Sequence, residues 1–222
     1  CHRTLTGEEN PCLRPMLAAL PTHTNAGGFF GPIHTGRDGD VMVDEFQFGG
    51  STWYLRALCE AHRQLGDDCI PGTTPLALAK RVFEGLYLPA LGLFDSYPVD
   101  HEELTGDMFG NELRVGNWIL CSDIGAAFLG IDGVADYYIA TGDMRAYDLV
   151  REMTECFARI DKLKIKAQTH ATLSAVRGLL RMYEHTGDKR FADVASDTWN
   201  LYITQGMTAT YANFNWFGRG ET

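Results

Sequence analysis

Part of this chain is written twice, and that limits its fold more than any other feature. Residues 133–148 align with residues 178–193 at a fixed offset of 45, and Gly133/Gly178, Tyr138/Tyr183, Thr141/Thr186, Gly142/Gly187, Asp143/Asp188, Arg145/Arg190 and Asp148/Asp193 are identical. Seven identities in 16 positions at one offset is more than unrelated segments give. A period near 45 suits a two-helix unit stacked on copies of itself. The shared Thr-Gly-Asp says how the helices join. Glycine takes the left-handed conformation that ends one helix, and the aspartate caps the next.

Apolar spacing agrees. Ile124, Phe128, Ile131, Val134 and Tyr138 fall on one helical face, as do Leu173, Val176, Leu180 and Tyr183. A fainter copy ends at Gly66-Asp67. The pattern predicts roughly six helices, over 51–65, 74–87, 122–140, 144–160, 168–185 and 189–204. Residues 21–50, with seven glycines, and residues 89–117 read as non-helical. Long loops on a helical scaffold are where ligands meet the protein. The expected fold class is all-α: a single α/α-toroid domain of the six-hairpin type over residues 1–222. A closed toroid needs about twelve helices, so six make roughly half a ring. The apolar edge so exposed is expected to be covered by missing chain or by a second copy. An open solenoid is the rival architecture, although its loops are normally short and uniform.

With 19 basic and 29 acidic side chains, net charge −10, and no basic cluster, a nucleic-acid partner is not expected. No apolar run is long enough for a membrane helix. The six cysteines form no C-x-x-C pair. Cys59 and Cys69 flank a turn and would bridge in an oxidising compartment; free thiols are the other reading. Cys1 suits a processed lipoprotein or a chain fragment equally well.

His170 opens the helix beginning "THATLS", beside Gln168. It reads as a capping or structural histidine. Alternatively, because helix mouths in a toroid face the central cavity, it donates to a sugar hydroxyl or a carboxylate. Glycoside chemistry needs two acidic groups. "VMVDEFQFGGSTWYL" offers Asp44 and Glu45 near Trp53, and "CSDIGAAF" offers Asp123, with N-capping as its competing role. The loop "GGFFGPIHTGRDGD" adds His34. The tail "TYANFNWFGRGET" places Trp216 and Arg219 among other aromatics and amides. Such a mixture suits a sugar's apolar faces and hydroxyls, and it also suits an aromatic core edge. The candidate binding residues are His34, Trp53, Gln168, Trp216 and Arg219. All are expected where helices begin or in loops, rather than on helix flanks.

The segment "THATLSAVRGLLRMYEHTGD", the twin Thr-Gly-Asp corners and the "GRGET" ending together resemble the β-L-arabinofuranosidase family of bacterial glycoside hydrolases and its uncharacterised relatives. The likeness is clearest over residues 118–222. It implies an α/α toroid followed by β-sandwich domains, a carbohydrate substrate, and a periplasmic, cell-surface or extracellular location, with which the lipid anchor that Cys1 suggests by itself would agree. It also implies zinc, held by the Glu of a Glu-Thr-Cys motif and later cysteines, one of which is the nucleophile. Glu221 and Thr222 match the first two letters, so Glu221 becomes a metal and catalytic candidate whose co-ligands would lie beyond Thr222. His170 would correspond to a sugar-contacting histidine. The leading expectation is a glycoside hydrolase with His170, Asp44, Glu45, Asp123 and Glu221 as catalytic candidates, incomplete without further chain. Another toroid enzyme (an unsaturated glucuronyl hydrolase or a polysaccharide lyase) and a non-enzymatic helical-repeat binding module are the alternatives.

Overall fold

A computed structural model describes residues 5–100, 113–121 and 125–218. Helices dominate: α1 (Leu13–His23), α2 (Glu45–Gly50), α3 (Thr52–Leu65), α4 (Pro75–Val82), α5 (Gly130–Thr141), α6 (Met144–Arg159), α7 (Thr169–Thr186) and α8 (Lys189–Gln205). A small sheet joins them. Its strand β1 (Val43–Asp44) pairs in parallel with β3 (Trp118–Leu120), and β3 pairs antiparallel with β2 (Leu113–Val115).

The Thr-Gly-Asp corners are built as their composition requires. Gly142 and Gly187 are left-handed, at φ 71° and 72°. Their N–H groups close the preceding helices onto the carbonyls of Tyr138 and Tyr183, at 2.7 and 2.8 Å. Asp143 and Asp188 then cap α6 and α8 by accepting from the N–H groups of Arg145 and Arg190. The same arginine side chains hold each cap carboxylate, and Arg190 pulls the Asp188 carboxyl down to about 2. The Gly66 corner departs from this pattern. Asp67 there starts a short 3-10 turn, and α4 begins only at Pro75, capped by Thr74.

Three hairpins therefore stand side by side, α3–α4, α5–α6 and α7–α8. Their first helices form a front layer in which α5 touches both α3 and α7. Two glycines set that spacing. A Cβ on Gly133 would lie 2.6 Å from Thr52 Oγ1, and one on Gly178 would lie 2.7 Å from the Asp132 backbone. In Gly133's place, the Thr52 hydroxyl accepts from the Gly133 N–H at 2.7 Å and donates to the Leu129 carbonyl at 2.8 Å. The identity of Gly133 and Gly178 across the repeat is thus the identity of two helix crossings. For Asp148 and Asp193 nothing in the structure supplies a reason.

Several expectations need correction. The chain is mostly helical, with helix of all kinds over 61% of the described residues, yet the segments read as loops carry structure. Residues 21–50 contain the end of α1, β1 and α2. Residues 89–117 contain a 3-10 turn at Phe94–Ser96, part of another at Leu88–Ala90, and strand β2. Phe94, Tyr97, Trp118 and Phe128 interlock there at ring separations of 4.9–6.3 Å. The expected helix 74–87 is α-helical only to Val82 and then widens into a π turn over Phe83–Tyr87. That turn brings Gly85 so close to the Gly27 backbone that no Cβ fits. The expected helix 122–140 begins as a 3-10 turn at Ala126 and becomes α-helical at Gly130; residues 122–124 lie outside the described residues. The tail aromatics are not left bare as a group. Phe217 is fully buried in the core, whereas Tyr211 is exposed. The five described cysteines, Cys59 and Cys69 among them, are free thiols.

Replacing Gly178 by Ala forces backbone apart, whereas Gly187 has open space for a Cβ and pays only its left-handed strain. In denaturant melts, G178A is expected to lose about 3 kcal/mol and G187A about 1 kcal/mol.

Candidate functional site

The α5 helix places Asp132 and Asp136 one turn apart, both buried, on the face that runs between α3 and α7. Each carboxylate is shared by two arginines, one from each neighbouring helix. Asp132 receives Arg177 Nε at 3.0 Å and Nη2 at 2.6 Å, with Arg56 Nε 3.0 Å away. Asp136 receives Arg63 Nη2 at 2.9 Å and Arg181 Nη1 at 2.7 Å. The pairings climb all three helices in one direction, which shows that the front helices run parallel. Asp132 and Asp136 stand exactly one repeat before Arg177 and Arg181, so the repeat offset is also the pairing offset. The carboxylates are sealed in, but the Arg177 side chain keeps 45% exposure and that of Arg63 36%. On the rim, the exposed Glu60 accepts from Arg63 and Gln64. A hollow of about 440 Å³ opens over this row, lined by Trp53, Arg56, Ala57, Glu60, Arg63, Asp136 and Arg181.

At one end of the row the Trp53 indole lies flat on the His170 imidazole, with centroids 5.7 Å apart and planes 14° from parallel. Both rings are exposed. The helix α2 runs through Ser51 into α3, so Phe46, Gly50 and Trp53 share one face. With Gln168 and His170 they line a second hollow of about 100 Å³. His170 is not the helix cap. Gln168 fills that role, its side-chain oxygen accepting from the Ala171 N–H at 2.6 Å. The tail turns back onto this helix start. Trp216 bridges to Gln168, and the Thr169 N–H donates to the Asn215 carbonyl at 3.0 Å.

Of the expected site residues, Trp53, Gln168, His170 and Trp216 come together here. His34 and Asp44 meet elsewhere: His34 Nε2 lies 3.1 Å from Asp44 Oδ2, and Asp44 also caps α2. His34 lines a separate hollow of about 160 Å³. Glu45 is wholly buried. It accepts from the Tyr97 hydroxyl at 2.6 Å and from the Cys121 N–H at 3.2 Å, tying α2 to β3. Burial, with Glu45 beside it, pushes the Tyr97 hydroxyl well above its ordinary value. Asp123, Arg219 and Glu221 lie outside the described residues. Among the described residues no group of three His, Cys, Asp or Glu could hold a metal ion. Burial lifts the Cys59 and Cys156 thiols to about 12, far from thiolate chemistry at neutral pH. The described residues thus do not themselves assemble the zinc site that the resemblance implies.

The arginine row was missed because polar residues were expected at helix mouths, whereas these lie on helix flanks. The signal was present in Asp132/Asp136 and Arg177/Arg181, each spaced by four and separated by the repeat offset. Compared with family models, curated proteins and solved structures, the chain gives no match.

A fourth hollow, of about 280 Å³ between the end of α6 and α8, holds a different kind of group. Lys162 is buried there, donating to the Phe157 carbonyl at 2.8 Å over the Phe157 ring, and burial lowers its ammonium to about 8.

Two outcomes are expected. D132N leaves two guanidiniums on a neutral amide and should lose about 3 kcal/mol, whereas E60Q on the exposed rim should change stability by less than about 0.5 kcal/mol. For Lys162 the folded chain releases its proton near pH 8 and the unfolded chain near 10.5. Below pH 8 both states are charged and the burial penalty is complete; between 8 and 10.5 stability should rise with pH, by up to about 3 kcal/mol. The difference between the unaltered chain and K162M, followed by denaturant melts from pH 7 to 10.5, isolates that rise.

Proposed function

We propose that this chain handles saccharides, as the helical part of a carbohydrate-active enzyme of the α/α-toroid kind, with the front layer as the wall of its sugar cavity. One observation carries the reading: the exposed Trp53–His170 stack at the end of an open polar hollow. A sugar ring lays its apolar C–H face on an aromatic plane, and its hydroxyls bond to polar groups at the rim. Gln168 and His170 line the small hollow on one side of Trp53, and the larger hollow on its other side, about 440 Å³, falls in the range of small-molecule sites. Three parallel front helices, each returning through a back helix, are consistent with half of a six-hairpin ring.

The reaction we propose is glycoside hydrolysis, with arabinofuranosides as the first substrates to try. Its support is the sequence resemblance over residues 118–222. Asp123 and Glu221 are the groups proposed for the chemistry, with Glu221 the proposed zinc ligand. Asp44 and Glu45 are better read as structural, since one caps a helix beside His34 and the other is sealed in the core.

Binding and turnover are tested separately. By calorimetry, arabino- and galacto-oligosaccharides should bind, and W53A should weaken them about tenfold, the loss of one stacked aromatic contact. No saccharide binding, or binding indifferent to Trp53, overturns the reading. Aryl α- and β-L-arabinofuranosides, with and without zinc, test hydrolysis. With the co-ligands expected beyond Thr222 supplied by a longer chain, turnover abolished by E221Q is the expected result, and binding without turnover there favours the helical-repeat binding module.

A further inference from the structure

We infer that the saccharide taken by this face carries a carboxylate, held by Arg56 and the guanidinium row beside Trp53. The inference rests on the saccharide reading above, and in place of the neutral arabinofuranosides it assigns to this face an acidic sugar such as a uronate. Charge balance is the first argument. Along the row, Arg56, Arg63, Arg177 and Arg181 meet Asp132, Asp136 and Glu60, leaving one positive charge uncompensated. The surplus falls at the Trp53 end, where Arg56 and Arg177 share the single carboxylate of Asp132; farther along, Arg63 and Arg181 are balanced by Asp136 and Glu60. This happens in a chain whose net charge is −10, so the row is a positive spot in an acidic surround.

Geometry is the second argument. Arg56 lines the hollow together with Trp53. Its Nε lies 3.0 Å from Asp132 Oδ2 as an ion pair without a hydrogen bond, and among the described residues neither of its Nη groups has a hydrogen-bond partner. Arg177 likewise commits Nε and Nη2 and leaves Nη1. Buried Asp132 holds the Arg177 guanidinium by two hydrogen bonds and keeps that of Arg56 beside it as an ion pair, which lowers the side-chain entropy left to lose on binding. A planar fork with spare N–H groups matches a carboxylate's two oxygens. With the sugar ring on Trp53, its carboxylate would meet that fork. Glu60, on the rim farther along, would repel an anion there and so favours the Trp53 end.

The test uses the whole chain and two probes that share one sugar skeleton: trigalacturonate and its fully methyl-esterified form, in which each carboxylate is a neutral ester. Calorimetry at low salt should find the acid bound about tenfold tighter than the ester, the worth of one charge-assisted hydrogen bond. That advantage should shrink as salt is raised. R56Q should cut the ratio to below about threefold, while Arg177 still pairs with Asp132 and spares the fold. If R56Q does not fold, R56K, which keeps the charge but loses the fork, should also lower the ratio. Equal binding of acid and ester overturns the inference and leaves the saccharide reading intact. A sulfated galactan oligomer bound more tightly than the uronate also overturns it, because the site would then select charge rather than a carboxylate. Failure of the uronate, its ester and neutral oligosaccharides alike overturns both readings.

Discussion

Glycine crossings bring α3, α5 and α7 so close that the surface between them has no room for ordinary side chains. Backbone meets backbone at Gly178, and a threonine hydroxyl takes the Cβ space at Gly133. At that distance a carboxylate on α5 is removed from water on both sides. Asp132 and Asp136 would be strongly destabilising if left alone there. The arginines of α3 and α7 are therefore required by the crossing, and they reach the carboxylates from the open side. Tight crossing, buried acid and solvent-facing guanidinium form one causal sequence. The exposed row of positive charge on the front layer is its end product.

The long connections are held by the same kind of device, a buried or half-buried carboxylate taking backbone donors. Glu45 accepts from the Cys121 N–H and the Tyr97 hydroxyl. Glu152 on α6 accepts from the N–H groups of Gly92 and Phe94, at 2.7 and 2.8 Å. A segment without regular hydrogen bonding must find partners for its amides when it is covered, and these acids supply them. They also explain how loop segments rich in glycine and proline bury Phe94, Tyr97 and Trp118 in the common core.

Local features were the most legible in the sequence. The Thr-Gly-Asp corners and the last three helices fall close to where composition and periodicity put them, because each is decided by contacts within a few residues. Less legible was whatever depended on distant partners. Nothing near Phe83 announces a π turn; its close neighbour is Gly27, more than fifty residues earlier. The stack of His170 on Trp53 joins residues more than a hundred positions apart. Composition suggested both rings as candidates, but only the fold brings them together. Glu45 shows the converse: an acid among aromatics looked available for chemistry, and the fold buries it completely. The expectations for Asp123, Arg219 and Glu221 fall outside the described residues.

The repeat ties these strands together. If the offset of 45 reflected only a convenient corner, the identities would cluster at Thr-Gly-Asp. They extend back to Gly133 and Gly178, each nine residues before its corner glycine, where the crossings lie. The residues just before those glycines differ: Asp132 in one copy, Arg177 in the other, and again Asp136 against Arg181. Repetition with one sign of charge would place like charges opposite one another across each crossing. Alternation from acid to base lets consecutive copies pair, and it leaves the final base facing outward on α7. A helical array that alternates in this way both closes its interfaces and presents an ordered row of guanidiniums, so the pairs that hold the helices together also set the charge of their outer face.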